Sequence, residues 1–254
     1  LIRLIRRFDV FMREQTYHAI ILKKQAYKEA DEIITFFTKE QGKIRALAKS
    51  VKSPKSKLQQ KLQALFLVEV RLTLGKMPKI ISAETVKVYH HLRENLQAMK
   101  TAFYATELTL KITADEQKNE VLFNLLQDFL QFLNDECQNS LRAKSRSANG
   151  AKDQTIGSPQ GRTLLFNPES YPDRIIDLGL AKFKIGILEA SGLGVPDRND
   201  ELFKKLKSSN FPEIPSLFGL PGIGPLQTFL SQFIENQLER KVNSEKYLKQ
   251  ENML

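Results

Sequence analysis

Four lysines punctuate the stretch from Ala48 to Leu58, AKSVKSPKSKL: Lys49, Lys52, Lys55 and Lys57. An ammonium group on a long stem neutralises a phosphate and releases a condensed counterion, chemistry that needs positive charges in series but no fixed register. Lys28, Lys43, Arg45, Lys76 and Lys79, in the same part of the chain, suit the same chemistry. Tyr27, Phe36 and Phe37 are the aromatic side chains available there for stacking on bases. Adjacent strand residues face opposite ways, so at least one of Phe36 and Phe37 belongs to a core. The plainer reading of a lysine-rich loop is a solvated loop; charge and predicted fold together favour nucleic-acid contact.

Other chemistry finds little material. No GxxxxGK[ST] phosphate loop is present, and no persuasive nucleophile–base pair or clustered carboxylates for metal-dependent nuclease work emerge. Cys137 is the single cysteine, so neither an intrachain disulfide nor a thiolate metal cluster can form, and a reducing cytosol fits. His90 and His91 have no partner histidine but His18 and read as surface or capping residues. No catalytic residue, metal ligand or cofactor is assigned.

The charge is unevenly spread. The 254 residues carry a formal +10, yet residues 1–81 hold 18 Lys/Arg against 7 Asp/Glu, a net +11, and the rest is close to neutral. That asymmetry predicts a polyanion-binding module followed by a near-neutral body. Residues 1–11, LIRLIRRFDVF, read as an extension upstream of a natural start at Met12, an amphipathic surface helix being the rival. No 18-residue apolar run exists elsewhere, so no membrane span is expected.

The elements that must position the lysines are strands. YHAIILKK, EIITFFTK, KIRALAK, LFLVEVRLTL and KIISAETVKVY are apolar, β-branched blocks separated by turn signals. In the fourth, Phe66, Val68, Val70, Leu72 and Leu74 alternate with Leu67, Glu69, Arg71 and Thr73, which predicts one face on a core. A short link around Gly42 and a long connection from Ser50 to Gln63 suit a small oligonucleotide-binding barrel, although an SH3-like barrel has similar spacing. Pro54 and the serines argue against a regular helix at the lysine cluster, which reads as a flexible loop.

Beyond Tyr89 the apolar period becomes helical. Leu92, Leu96, Met99, Phe103 and Leu110 mark one predicted core face; Val121, Leu122, Leu125, Leu126, Phe129, Phe132 and Leu133 mark another. Residues 142–163 lack apolar periodicity and read as a disordered insertion. Helical patterning returns in DRIIDLGLAKFKIGILEASGLG, with Gly192 as its stop, and in PLQTFLSQFIENQLERKVNSEKYL. GLPGIGP, Gly219 to Pro225, has the glycines of a DNA-binding helical hairpin, but Pro212 and Pro215 spoil the helix that should precede it, which favours a tight turn. The fold class is therefore α+β: 12–89 a five-stranded barrel, 90–254 all-helical with the insertion inside it.

With these elements in place, the chain from Met12 resembles the bacterial recombination mediator RecO family. The run from MREQTYHAIILKK through the acidic EAD turn and glycine hairpin to the basic loop is similar to that family's N-terminal domain. FKIGILEASGLGVPD and LSQFIENQLERKVNSEKYL resemble its later helices. The resemblance implies an oligonucleotide-binding fold that binds single- and double-stranded DNA, anneals complementary strands, and with RecR helps load RecA onto DNA covered by single-strand binding protein. It also implies cytoplasmic work in recombinational repair, DNA contact by the Lys49–Lys57 loop, and docking of the single-strand binding protein tail on the helical unit. Many members carry a four-cysteine zinc site after the SGLGVPD-like turn. The corresponding stretch here has no cysteine, and Phe203, Phe211 and Phe218 are expected to supply apolar contacts instead. A single-stranded RNA-binding or RNA-chaperone barrel is the alternative reading of the charge map.

Overall fold

A computed structural model of the chain describes residues 14–148 and 171–238. The proposed upstream extension lies outside them, as does most of the insertion. The described chain forms two compact units: one of residues up to Val88 joined by Thr113–Glu120, the other of Tyr89–Ile112 and the chain from Val121 onward. The first unit thus recruits a later segment that the sequence boundary at residue 89 would assign to the helices.

The first unit is a closed five-stranded barrel. Its strands are β1 (Glu14–Tyr27), β2 (Asp31–Thr38), β3 (Gly42–Ala48), β4 (Leu67–Thr73) and β5 (Lys79–Lys87). Neighbours run β1-β2-β3-β5-β4, and β1 closes the ring by pairing with both β2 and β4. That strand can serve two neighbours because it is long and because its register to β2 shifts between Ile21 and Lys23, a bulge that bends it. A parallel bridge between Leu47 and Lys79 joins β3 to β5. This order is that of the oligonucleotide-binding fold and sets aside the SH3-like alternative.

Alternation fills the barrel as the sequence requires. Tyr17, Ala19 and Ile21 of β1, Ile34 and Phe36 of β2, Ile44, Ala46 and Ala48 of β3, and Val68, Val70 and Leu72 of β4 share one core. Leu74 departs from the expected pattern: β4 ends at Thr73, and Leu74 projects into solvent. Gly42 opens β3 at φ +78°, and a Cβ there would fall 1.9 Å from the Gln117 oxygen, so glycine lets the Thr113–Glu120 segment approach the hairpin.

The short α1 (Lys57–Lys61) also belongs to the first unit. In the second unit the helices are α2 (Leu96–Ile112), α3 (Glu120–Ala148), α4 (Tyr171–Ala190), α5 (Glu201–Ser208) and α6 (Ile223–Leu238), with 3-10 turns at His91–Glu94 and Phe211–Leu217. Here α4 packs against α2, α5, α6 and the 3-10 turn at Phe211–Leu217. It is accordingly apolar around most of its circumference, burying Ile175, Ile176, Leu178, Leu180, Phe183, Ile185, Ile187 and Leu188. Gly192 ends it as expected: at φ +76° it lets Leu193 N–H reach back to the Leu188 carbonyl at 3.0 Å.

Val121, expected on the core face of α3, is exposed, and two further helical expectations need correction. On α2 the buried face is Ala98, Thr101, Ala102, Tyr104, Ala105, Leu108 and Thr109, whereas Leu96 and Phe103 are exposed. Small side chains let helices approach closely, and Thr109 Oγ1 donates to the Ala105 carbonyl at 2.8 Å, so burying its hydroxyl costs little. Second, α3 runs on to Ala148, so residues 142–148 are helical; Ala, Arg and Lys are good helix formers and extend a helix already nucleated by its amphipathic first half. Residues 149–163 lie outside the described residues.

The segment before α6 is a seven-residue 3-10 turn, and α6 starts only at Ile223, so the two-helix hairpin reading of GLPGIGP is set aside. Phe211 packs 5.6 Å from Phe129 and 5.5 Å from Phe132 between ring centres, and Phe129 stacks on Phe183 at 4.7 Å. Phe203 is buried; Phe218 is half-buried beneath the Arg174 guanidinium, 5.2 Å from its ring.

Candidate nucleic-acid interface

The lysine cluster begins where β3 ends. Its first residues are held rather than loose: Ser50 N–H donates to Asp31 Oδ1 at 2.7 Å and Lys52 N–H to the Ala30 carbonyl at 3.0 Å. Val51 between them is fully buried in the barrel core. Successive turns follow, Ser53 N–H to the Ser50 carbonyl and Ser56 N–H to the Ser53 carbonyl, and Lys57 opens α1. The expected flexible loop is therefore an ordered one, because an apolar anchor and two bonds from its backbone N–H groups, to the Asp31 carboxylate and the Ala30 carbonyl, fix its root to the β1–β2 turn. Regular helix does form, but only after Pro54 and Ser56.

These bonds gather cations from three connections. The β1–β2 turn carries Tyr27 and Lys28, the latter at φ +54° with its ammonium 5.5 Å from the Tyr27 ring centre. The β3–β4 connection carries Lys49, Lys52, Lys55 and Lys57. The β4–β5 connection carries Lys76 and Lys79, and is tied to the end of β3 by Leu47 N–H donating to the Pro78 carbonyl at 2.8 Å. All of these lysines are exposed, and among the described residues none has a carboxylate partner in ion-pair range. Lys24 and Lys61 nearby are engaged by Glu32 at 3.2 Å and Glu84 at 2.7 Å. Unpaired charge in water is free to exchange its counterions for phosphates.

The β2–β3 hairpin has the opposite character. His18 Nδ1 lies 2.8 Å from Glu40, Lys39 lies 3.3 Å from Glu120, and Tyr17 Oη donates to Gln41 at 2.7 Å. Burial first, then Glu40 and Glu116, push the Tyr17 phenol above its usual range. Here Lys43 must be reassigned. Lys43 Nζ donates to the Thr113 carbonyl and lies 3.3 Å from Asp115, its side chain only 13% exposed; Glu116 N–H also bonds the Lys43 carbonyl at 2.8 Å. Lys43 holds the Thr113–Glu120 segment and is not a free phosphate contact. Arg45 shares Asp115 at 3.5 Å but stays 64% exposed, so part of its fork remains open to a ligand.

The stacking residues separate cleanly. Phe36 is wholly buried inside the barrel, and Phe37, on the opposite face of β2, is wholly buried as well. Neither offers a ring to a base, which corrects both assignments; alternation required only one to be core, but Ile20 and Leu67 in register beside Phe37 are buried on that outer face too. Tyr27 keeps its exposed ring at the basic end.

Sequence reasoning missed the anchors Ala30, Asp31 and Val51 and the docked Thr113–Glu120 segment. Only Asp31 carried a signal, as a turn aspartate able to accept a backbone N–H.

Against this geometry, residues 12–89 match the family described as Recombination protein O N terminal. Over those residues the barrel is similar to that family's N-terminal domain. Three curated relatives carry the name DNA repair protein RecO. That of Dehalococcoides mccartyi strain CBDB1 is 37% identical over 127 residues, half of each chain. That of Acaryochloris marina is 40% identical over 115 residues, 44% of this chain and 39% of its own, and that of Halalkalibacterium halodurans 31% over 120 residues, 46% of each. The chain thus spans about half the length of the curated relatives it matches. The family match covers the barrel and every cation gathered at the end of β3.

Proposed function

We propose that this chain is a DNA-binding recombination mediator that acts in DNA repair by annealing complementary single strands. The observation that carries the reading is the convergence of unpaired lysines from three connections on one end of an oligonucleotide-binding barrel, at a root fixed by Val51, Ala30 and Asp31. Cations spread over an ordered surface neutralise phosphates on two strands at once and lower their mutual repulsion. Bases then search for complements without any bond being made or broken, so the protein works as a binder rather than an enzyme and consumes no nucleotide.

The name carried by the relatives, DNA repair protein RecO, supports the same reading. With it come the finer proposals: action with RecR in the cytoplasm, docking of the single-strand binding protein tail on the helical unit, and loading of RecA onto coated DNA. Among the described residues no helix is long and apolar enough to cross a membrane, and no group of three or more His, Cys, Asp or Glu residues is placed to hold a metal ion.

The test is annealing of complementary oligonucleotides, bare and coated with single-strand binding protein, by the wild type and by a variant with Lys49, Lys52, Lys55 and Lys57 changed to Glu. A folded variant that no longer anneals supports the reading. Equal annealing by both moves the DNA path elsewhere, and activity on RNA but not on coated DNA favours the RNA-chaperone alternative.

A further inference from the structure

The β4–β5 connection, LTLGKMPK from Leu72 to Lys79, has an unusual tip for a basic loop. Leu74 and Met77 are each 42% exposed, on either side of Gly75 and Lys76. Gly75, at the tip, has open space where a Cβ would sit. The base of the connection is firm: Lys79 N–H donates to Thr73 Oγ1 at 3.1 Å, Leu47 N–H to the Pro78 carbonyl, and Leu47 bridges Lys79 across to β3. Two large apolar groups are thus presented to water on a supported hairpin, with Lys76 between them and Lys79 beyond Met77, both lysines exposed and without a carboxylate partner among the described residues.

Apolar side chains held in solvent beside cations match a ligand that is anionic at its edge and flat and apolar inside. Nucleic acid has that character: phosphates outside, base faces within. Aliphatic residues that enter a base step unstack it, whereas lysines alone leave the stack intact.

On the proposed DNA-binding reading, we propose that Leu74 and Met77 form a wedge that enters a base step of the bound single strand, while Lys76 and Lys79 hold the adjoining phosphates. The wedge breaks stacking within the strand and leaves the Watson–Crick edges of the bases open to a complement. It therefore removes self-structure that would compete with annealing.

The experiment uses the full chain and a single-stranded oligonucleotide carrying one 2-aminopurine between purines, whose fluorescence is quenched by stacking. Binding is followed separately by anisotropy of an end label across a salt series. Wild type raises the 2-aminopurine signal severalfold. L74S/M77S binds with the same salt slope, since no phosphate contact is removed, but leaves the signal near that of free DNA and anneals self-structured strands more slowly. L74M/M77L restores the signal, which separates a wedge from a loss of folding. Equal signals from wild type and L74S/M77S at saturation overturn the wedge while leaving DNA binding intact. Absence of salt-dependent binding by any of the proteins overturns the DNA reading itself.

Discussion

Replacing Lys49, Lys52, Lys55 and Lys57 by Gln removes four cations while keeping polar side chains and the backbone N–H bonds that order the loop. Each is exposed without a carboxylate partner among the described residues, so each is free to displace a full counterion from a bound strand. For single-stranded DNA the loss of four phosphate contacts lowers the slope of log affinity against log salt by about 2.8. Between 50 and 200 mM salt the wild type should therefore shed about 50-fold more affinity than the variant. Fluorescence anisotropy titrations over that range measure both slopes, and urea unfolding checks that the exposed substitutions leave stability within about 0.5 kcal/mol. Lys61→Gln is the control: both Glu84 oxygens already hold its ammonium at 2.7 Å, so the slope should not move. A quadruple variant with the wild-type slope, or a Lys61→Gln slope that falls as steeply per charge, refutes the assignment of the DNA path to unpaired lysines.

Two further outcomes concern the helical unit. Phe211→Ala empties the ring site between Phe129 and Phe132 and should destabilise this unit by about 3–5 kcal/mol in urea unfolding, with no recovery on adding zinc; an unchanged midpoint contradicts the aromatic account of this region. Asp177 is held at a pKa of about 6, raised mainly by burial and further by Asp173, against the pull of Lys184. Its folded pKa exceeds its unfolded one, so its contribution to stability is full below about pH 4 and is lost as pH rises through 6. Asp177→Asn should flatten that part of the stability–pH curve, and an unaltered curve between pH 4 and 7 would show that Asp177 does not titrate in this way.

The strands were legible because their information is local. Period-two alternation in FLVEVRLTL places Val68, Val70 and Leu72 inward whatever the neighbours are, and the five apolar blocks all became strands of the barrel. The charge asymmetry and the seat of the lysine cluster at the end of β3 were equally local. Helix faces were less secure: Leu96 and Phe103 of α2 point outward while Ala98, Ala102, Tyr104, Ala105 and Leu108 are buried, and which face is covered depends on the neighbouring helices as well as on α2 itself.

Sequence by itself determined the β-then-α order, the concentration of positive charge in the first third of the chain, and the lack of any thiolate cluster, since these depend only on residue type and spacing. Tertiary structure alone decided which cations are free. Lys43 and Lys76 look alike in sequence, yet a segment some seventy residues away brings Asp115 to Lys43, while nothing described brings an acid to Lys76. It also turned a loop of apparent flexibility into an ordered surface and buried both phenylalanines, because ion pairing and burial belong to pairs of distant residues and a linear pattern records only one member of each pair.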